Sequence, residues 1–180
     1  MNLYLFQRII GIGVLLMQIT LVVVLMYLLF RKFTGKTCVV MERYLLEQRM
    51  WWIFILALVA VVGSLLFSEV YHVEACKLCW FQRAFVYPQA LVAGMAAWHK
   101  DVRAYLYLKW MSLIGIVIAI YQMMAQFGVK AVPLLPCVAE PGADCAKITM
   151  LEFGYITIPV MSATFFLVVI VLTQSQKRIS

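Results

Sequence analysis

Apolar residues gather along this chain into five long blocks: Ile9 to Phe30, Trp51 to Val70, Trp80 to Trp98, Ala104 to Phe127 and Phe153 to Thr173. Few ionisable groups interrupt them. A helix needs about 20 predominantly apolar residues to cross a bilayer, because its backbone must satisfy its own hydrogen bonds where water is lacking. The pattern therefore predicts five spanning helices. The stretches between them are too short for a soluble domain, and the longest, Arg31 to Met50, is expected to be partly helical.

Composition agrees. Apolar residues make up 66% of the 180 and the mean hydropathy is +0.97, well beyond the roughly half-apolar norm of soluble domains. The first block, at 22 residues, exceeds the roughly 7 to 15 of a signal-peptide core and no small-residue cleavage site follows it, so a retained helix is expected. Without repeats, low-complexity tracts or Pro/Gly-rich linkers, the chain reads as one membrane domain.

The net charge of +7 does not point to nucleic acid, because the basic residues cluster at the ends of apolar blocks and form no stripe. They report topology instead. Arg31, Lys32, Lys36, Arg43, Arg49, Lys100, Arg103, Lys177 and Arg178 fall on one side. The opposite side has Arg8, Lys77, Lys130 and Lys147, with Glu69, Glu74, Glu140, Asp144 and Glu152. Cytoplasmic loops carry the excess of Lys and Arg. The N-terminus is thus expected outside and the C-terminus in the cytoplasm. Trp51, Trp52, Trp98, Tyr105 and Trp110 lie near the predicted boundaries, as interfacial anchors do.

Of five cysteines, Cys38 falls in the basic loop, while Cys76, Cys79, Cys137 and Cys145 fall on the outer side as C-x2-C and C-x7-C. Disulfides persist outside the reducing cytosol, so the outer four are expected to spend time oxidised and Cys38 to remain a thiol. Three chemistries fit four such cysteines: two structural staples, a zinc site, or redox exchange. The C-x7-C spacing exceeds the usual two to four residues of a zinc knuckle. Redox exchange is favoured because Glu74-Ala-Cys-Lys-Leu-Cys-Trp-Phe-Gln-Arg83 runs from loop straight into the third block. Cys79 then lies near a helix N-terminus, where unpaired amides and the helix dipole favour a thiolate.

Arg83 follows Cys79 by four residues, on the same helix face and about 6 Å further in at 1.5 Å per residue. It either snorkels to the interface or stabilises an anion at the membrane edge, with Gln82 able to add a hydrogen bond. The second pair sits in Pro133-Leu-Leu-Pro-Cys-Val-Ala-Glu-Pro-Gly-Ala-Asp-Cys145, whose prolines and glycine favour a compact turn. His72 and His99 belong to opposite faces and cannot share a metal. Pro88 and Pro159 are expected to kink their helices, and the eleven methionines read as packing filler.

Taken together, Cys76-Lys-Leu-Cys-Trp-Phe-Gln-Arg83 at the mouth of a helix, a later outer cysteine pair, and a helix entered through Gly154-Tyr-Ile-Thr-Ile-Pro159 resemble the DsbB/BdbC family of quinone-linked thiol oxidases. The resemblance covers roughly Trp51 to Thr173. It implies an all-α integral membrane protein of the bacterial cytoplasmic membrane, with a DsbB-type four-helix bundle over 51–180. Residues 1–50 then form an additional N-terminal transmembrane helix and its cytoplasmic connection.

The resemblance also implies disulfides Cys76–Cys79 and Cys137–Cys145, and a relay between them. A thioredoxin-fold, DsbA-like dithiol oxidase would pass electrons to Cys137/Cys145, where Cys137 takes the mixed disulfide. Cys145 would then exchange with Cys76, and Cys79, beside Arg83 and Gln82, would meet ubiquinone or menaquinone from the membrane pool. The extra first helix and the short C-x7-C loop depart from the family pattern. A vitamin K epoxide reductase-like enzyme places its loop pair before the C-x2-C, the reverse of the order here, and a disulfide-stapled scaffold would hold its cysteines permanently oxidised.

Overall fold

The structure, a computed structural model, describes residues 2–34, 39–127 and 148–174. Cys38, Cys137 and Cys145 lie outside the described residues. Among the described residues there are five α-helices: α1 (Leu3–Thr34), α2 (Val39–Leu65), α3 (Lys77–His99), α4 (Ala104–Gln126) and α5 (Ile158–Gln174). α2 continues into a single π turn, Leu66–Val70.

Three stretches, Leu3–Phe30, Gln48–Val70 and Ala104–Gln126, are long and apolar enough to cross a membrane. α3 has 23 residues, about 34 Å at 1.5 Å per residue, but carries Gln82, Arg83 and Gln89 among its apolar ones. α5 is apolar and, with 17 residues, short. This is the architecture of a multi-pass membrane protein. The first two helices reach well into the basic stretch between the apolar blocks, as its helical composition allows.

α5 begins five residues later than hydropathy alone predicts. Glu152 and Ile156 pair across a tight turn in which Phe153 and Gly154 have φ of 52° and 79°. Left-handed backbone ends a helix or delays one. Pro159 consequently occupies the first turn of α5 instead of kinking it, at a position where its missing N–H removes no helical bond. Pro88 stands inside α3.

The core lies between α2, α3, α4 and α5. Ala90, Ala93 and Ala96 on α3 are buried against Ile53 and Leu108, and small side chains let helices approach where lipid supplies no hydrophobic drive. At Gly115 of α4 the approach is close enough that an added Cβ would overlap the Phe166 ring of α5. At one end of the bundle Arg49, 7% exposed, stacks 4.1 Å over the Tyr105 ring and ties the base of α2 to that of α4.

At the other end, the start of α1 meets the segments that follow α2 and precede α5. Phe6 packs tilted against Phe67 and stacked on Tyr71, at centroid distances of 5.1 and 4.9 Å, and Arg8 pairs with Glu152 at 3.3 Å. The N-terminus of α1 therefore lies at the same end as the loop carrying Cys76, in keeping with the alternation of the five blocks.

Candidate redox site at the mouth of α3

Cys76 is the N-cap residue of α3, with φ −67° and ψ 168°, and its carbonyl accepts the Trp80 N–H at 3.1 Å. Cys79 falls in the first helical turn, so both sulfurs sit where the helix has amide donors left over and a positive dipole end. The sulfurs lie 3.2 Å apart, from which an intrapair bond of about 2.05 Å is reached by small side-chain rotations. Cys76 is buried, and Cys79 is partly so.

A residue 43 positions away closes over the pair. Gln122, on the last full turn of α4 and 2% exposed, donates through Nε2 to Cys76 Sγ at 3.3 Å and to Cys79 Sγ at 3.4 Å. Its orientation is locked, because Gln122 Oε1 accepts from Gln82 Nε2 at 2.8 Å. Gln82 is itself 3% exposed. Two buried glutamines thus aim a neutral donor at both sulfurs, and such bonds strengthen when a sulfur carries charge. Gln82 of the sequence motif lines the same cavity as the cysteines and bonds Gln122.

Arg83 is held from the opposite flank. Its Nη2 donates to the Ser64 carbonyl at 3.1 Å and its Nη1 to Ser68 Oγ at 3.4 Å. The guanidinium carbon lies 5.2 Å over the Trp80 ring. Ser64 and Ser68 straddle the start of the π turn, a feature that shifts backbone hydrogen bonding by one residue and recurs at functional sites. Tyr87 adds a hydrogen bond to Ser64 Oγ at 3.4 Å. This anchoring gives the cation a defined place at the helix mouth, unlike a side chain reaching freely for the interface.

Cys76, Cys79, Gln82, Arg83 and Gln122 all border one cavity of about 760 Å³. Its other walls are mainly apolar and come from every helix, including Val14 and Met17 of α1, Ala60 of α2 and Phe165 of α5. Gln126, one turn beyond Gln122, also lines it, and Gln126 Oε1 is buried without a hydrogen-bond partner. His72 reaches the cavity rim while His99 ends α3 at the far end, so the two histidines stay apart. Among the described residues no cluster of three His, Cys, Asp or Glu is arranged to hold a metal ion.

The C-x2-C, Gln82 and Arg83 stand out in the sequence, and the fold adds Gln122, Gln126, Ser64 and Tyr87 to the same cavity. The signal was available in part: a polar side chain inside a spanning segment is a candidate functional residue by default. Trp98 and Trp110 are at least 59% exposed, as membrane-interface aromatics are, whereas Tyr105, read with them from the sequence, is buried beneath Arg49.

The family model described as "Disulfide bond formation protein DsbB" matches residues 47–175. The disulfide bond formation protein C of Bacillus subtilis is 36% identical over 118 residues, covering 66% of this chain and 84% of that protein. The SPbeta prophage-derived disulfide bond formation protein B of the same organism is 35% identical, over 63% of this chain and 75% of its own length. A probable disulfide formation protein of Coxiella burnetii is 31% identical, over 66% and 80%. No solved structure gives a significant match.

Proposed function

The chain belongs to the DsbB family of disulfide bond formation proteins, and from that premise we propose that it is a membrane thiol:quinone oxidoreductase that reoxidises a thioredoxin-fold, DsbA-like dithiol oxidase. Membership brings disulfide-handling redox chemistry in a multi-pass membrane protein; the route of the electrons is our reading. The observation that carries it is the convergence of Cys76, Cys79, Arg83 and Gln122 on a single cavity whose other walls are mainly apolar. At about 760 Å³ the cavity is in the range of small-molecule sites, typically about 300–1,000 Å³.

The residues fit a quinone. The apolar walls suit a membrane-confined ring and tail, Arg83 suits a carbonyl oxygen gaining negative charge, and the orphaned acceptor Gln126 Oε1 suits a hydroxyl. When bound, the quinone supplies a two-electron, two-proton acceptor. The chain's own residues do the rest. Arg83 holds positive charge beside the acceptor, Gln122 orients and stabilises the sulfurs, and Cys79, the less buried of the pair, faces the cavity.

Electrons enter at Cys137/Cys145. The partner's dithiol becomes a disulfide as that of Cys137–Cys145 is reduced, Cys137 taking the mixed disulfide and Cys145 then exchanging with Cys76. The Cys76–Cys79 dithiol so formed closes again as two electrons and two protons leave for the quinone. In net terms one dithiol is oxidised and one quinone becomes quinol. Residues 51–180 are the catalytic four-helix unit and 1–50 an accessory, in the bacterial cytoplasmic membrane with the cysteine pairs and the N-terminus outside.

The test mixes detergent-solubilised protein with quinone and a reduced thioredoxin-like dithiol, following quinone loss and thiol alkylation. Turnover is expected in the parent. Cys79→Ser should abolish quinone reduction, and Cys145→Ser should trap a partner adduct on Cys137. An absence of turnover with permanently oxidised cysteines would leave only a stapled scaffold.

A further inference from the structure

α1 lies outside the part of the chain that matches the family, 47–175, yet it forms part of the cavity wall. Ile9, Ile10, Gly13, Val14 and Met17 line it along about two turns. These residues are all apolar, and they line the same cavity as Cys76, Cys79, Arg83 and Gln122.

The polar contacts of α1 lie on one side. Toward α5, Gln18 Nε2 donates to Thr164 Oγ1 at 3.1 Å, Gln18 Oε1 accepts from Tyr155 at 2.7 Å, and Arg8 pairs with Glu152 at 3.3 Å. A glutamine in the middle of an apolar helix is costly unless bonded, so these contacts pin α1 in one rotation. Toward α2 the contacts are apolar, with Phe6 on Phe67 and Ile10 Cδ1 3.8 Å from the position of a Cβ on Gly63. Below them along the seam, Gly13 on α1 and Val59 and Ala60 on α2, all small or short side chains, line the cavity without Gly13 touching α2. Val59 lines the cavity and is also 65% exposed, as Ile9 is 52% exposed. The cavity therefore reaches the lipid-facing surface along this seam.

We propose that α1 is the lipid-side wall of the redox cavity, and that the apolar tail of the quinone lies against Gly13 and Met17 and passes between α1 and α2. This rests on the quinone reading above. The polar bonds to α5 keep the wall in place while the apolar seam toward α2 parts. A Cβ added at Gly13 meets nothing within 4 Å, so a larger residue there starts from open cavity space.

The experiment compares Gly13→Trp and Met17→Trp with Ile12→Trp, whose site is 47% exposed and off the cavity. Each is assayed in proteoliposomes with a long-tailed and a tail-less quinone and reduced thioredoxin-like dithiol. The two wall variants should raise KM for the long-tailed quinone by about tenfold or more, the factor given by about 1.4 kcal/mol. The tail-less quinone and Ile12→Trp should stay near the parent values. A parent protein that never reduces quinone would sink the underlying reading. A parent that turns over, with both wall variants keeping its KM, would sink the role of α1 alone. As a readout independent of activity, a photoreactive azido-quinone carrying its label on the tail should mark residues 9–17; labelling confined to α3 and α4 would also overturn the proposal.

Discussion

Replacing Gln122 with Leu tests whether the amide at the end of α4 tunes the cysteine pair. Leu is similar in size, so at a site 2% exposed it opens little space. Two effects follow. The bonds from Nε2 to both sulfurs disappear; a bond to a charged acceptor is worth about 1.5–3 kcal/mol. These bonds favour the reduced pair, whose sulfur can carry charge, over the disulfide. Because about 1.4 kcal/mol corresponds to 30 mV for a two-electron couple, the midpoint should fall by about 30 to 65 mV.

Gln82 Nε2 also loses its acceptor at 2.8 Å while remaining buried, which costs about 1–3 kcal/mol of stability in either redox state. The double variant Gln82→Leu with Gln122→Leu removes both partners. It should recover most of the melting temperature yet keep the lowered midpoint. The assay is titration against a dithiothreitol redox buffer with thiol alkylation, in a background with Cys38, Cys137 and Cys145 replaced by Ser so that only the near pair titrates. An unchanged midpoint in a folded Gln122→Leu variant would refute the tuning role.

Arg83→Ala should slow quinone reduction by about a hundredfold, the scale of losing one preorganised donor, while Cys76 and Cys79 still form their disulfide; unchanged turnover across quinone concentrations would count against its role. Gly115→Ala drives a Cβ into the Phe166 ring, and such overpacking should cost about 1–3 kcal/mol, read as a lower melting temperature in detergent. A reporter fused at Lys36 should give a cytoplasmic signal, and an extracytoplasmic one would invert the orientation.

Much of the site was legible because its chemistry is local. Cys76, Cys79, Gln82 and Arg83 lie within eight residues, and helical spacing alone puts Cys79 at the helix mouth with Arg83 one turn below it. Apolar block lengths likewise marked the helices. Even the exception, the late start of α5, has a local cause in the left-handed turn at Phe153 and Gly154. Cys137 and Cys145, read as the second pair, lie outside the described residues, so their part rests on sequence and family.

The closing of the site was decided by tertiary structure. Gln122 reaches the sulfurs from another helix, Ser64 receives Arg83 at the π turn, and α1 stands against the cavity through Gln18 and Arg8. Nothing in the apolar pattern announces these meetings. In water, an apolar stripe tells a helix which face to bury; in a bilayer the lipid tails are as apolar as leucine, and helices that are apolar all round carry no such mark. Which faces meet is then settled by small residues that allow close approach, such as Gly115, and by a few polar side chains that must find one another. The sequence determined that this chain crosses a membrane and carries a cysteine pair at a helix mouth; packing determined what surrounds that pair.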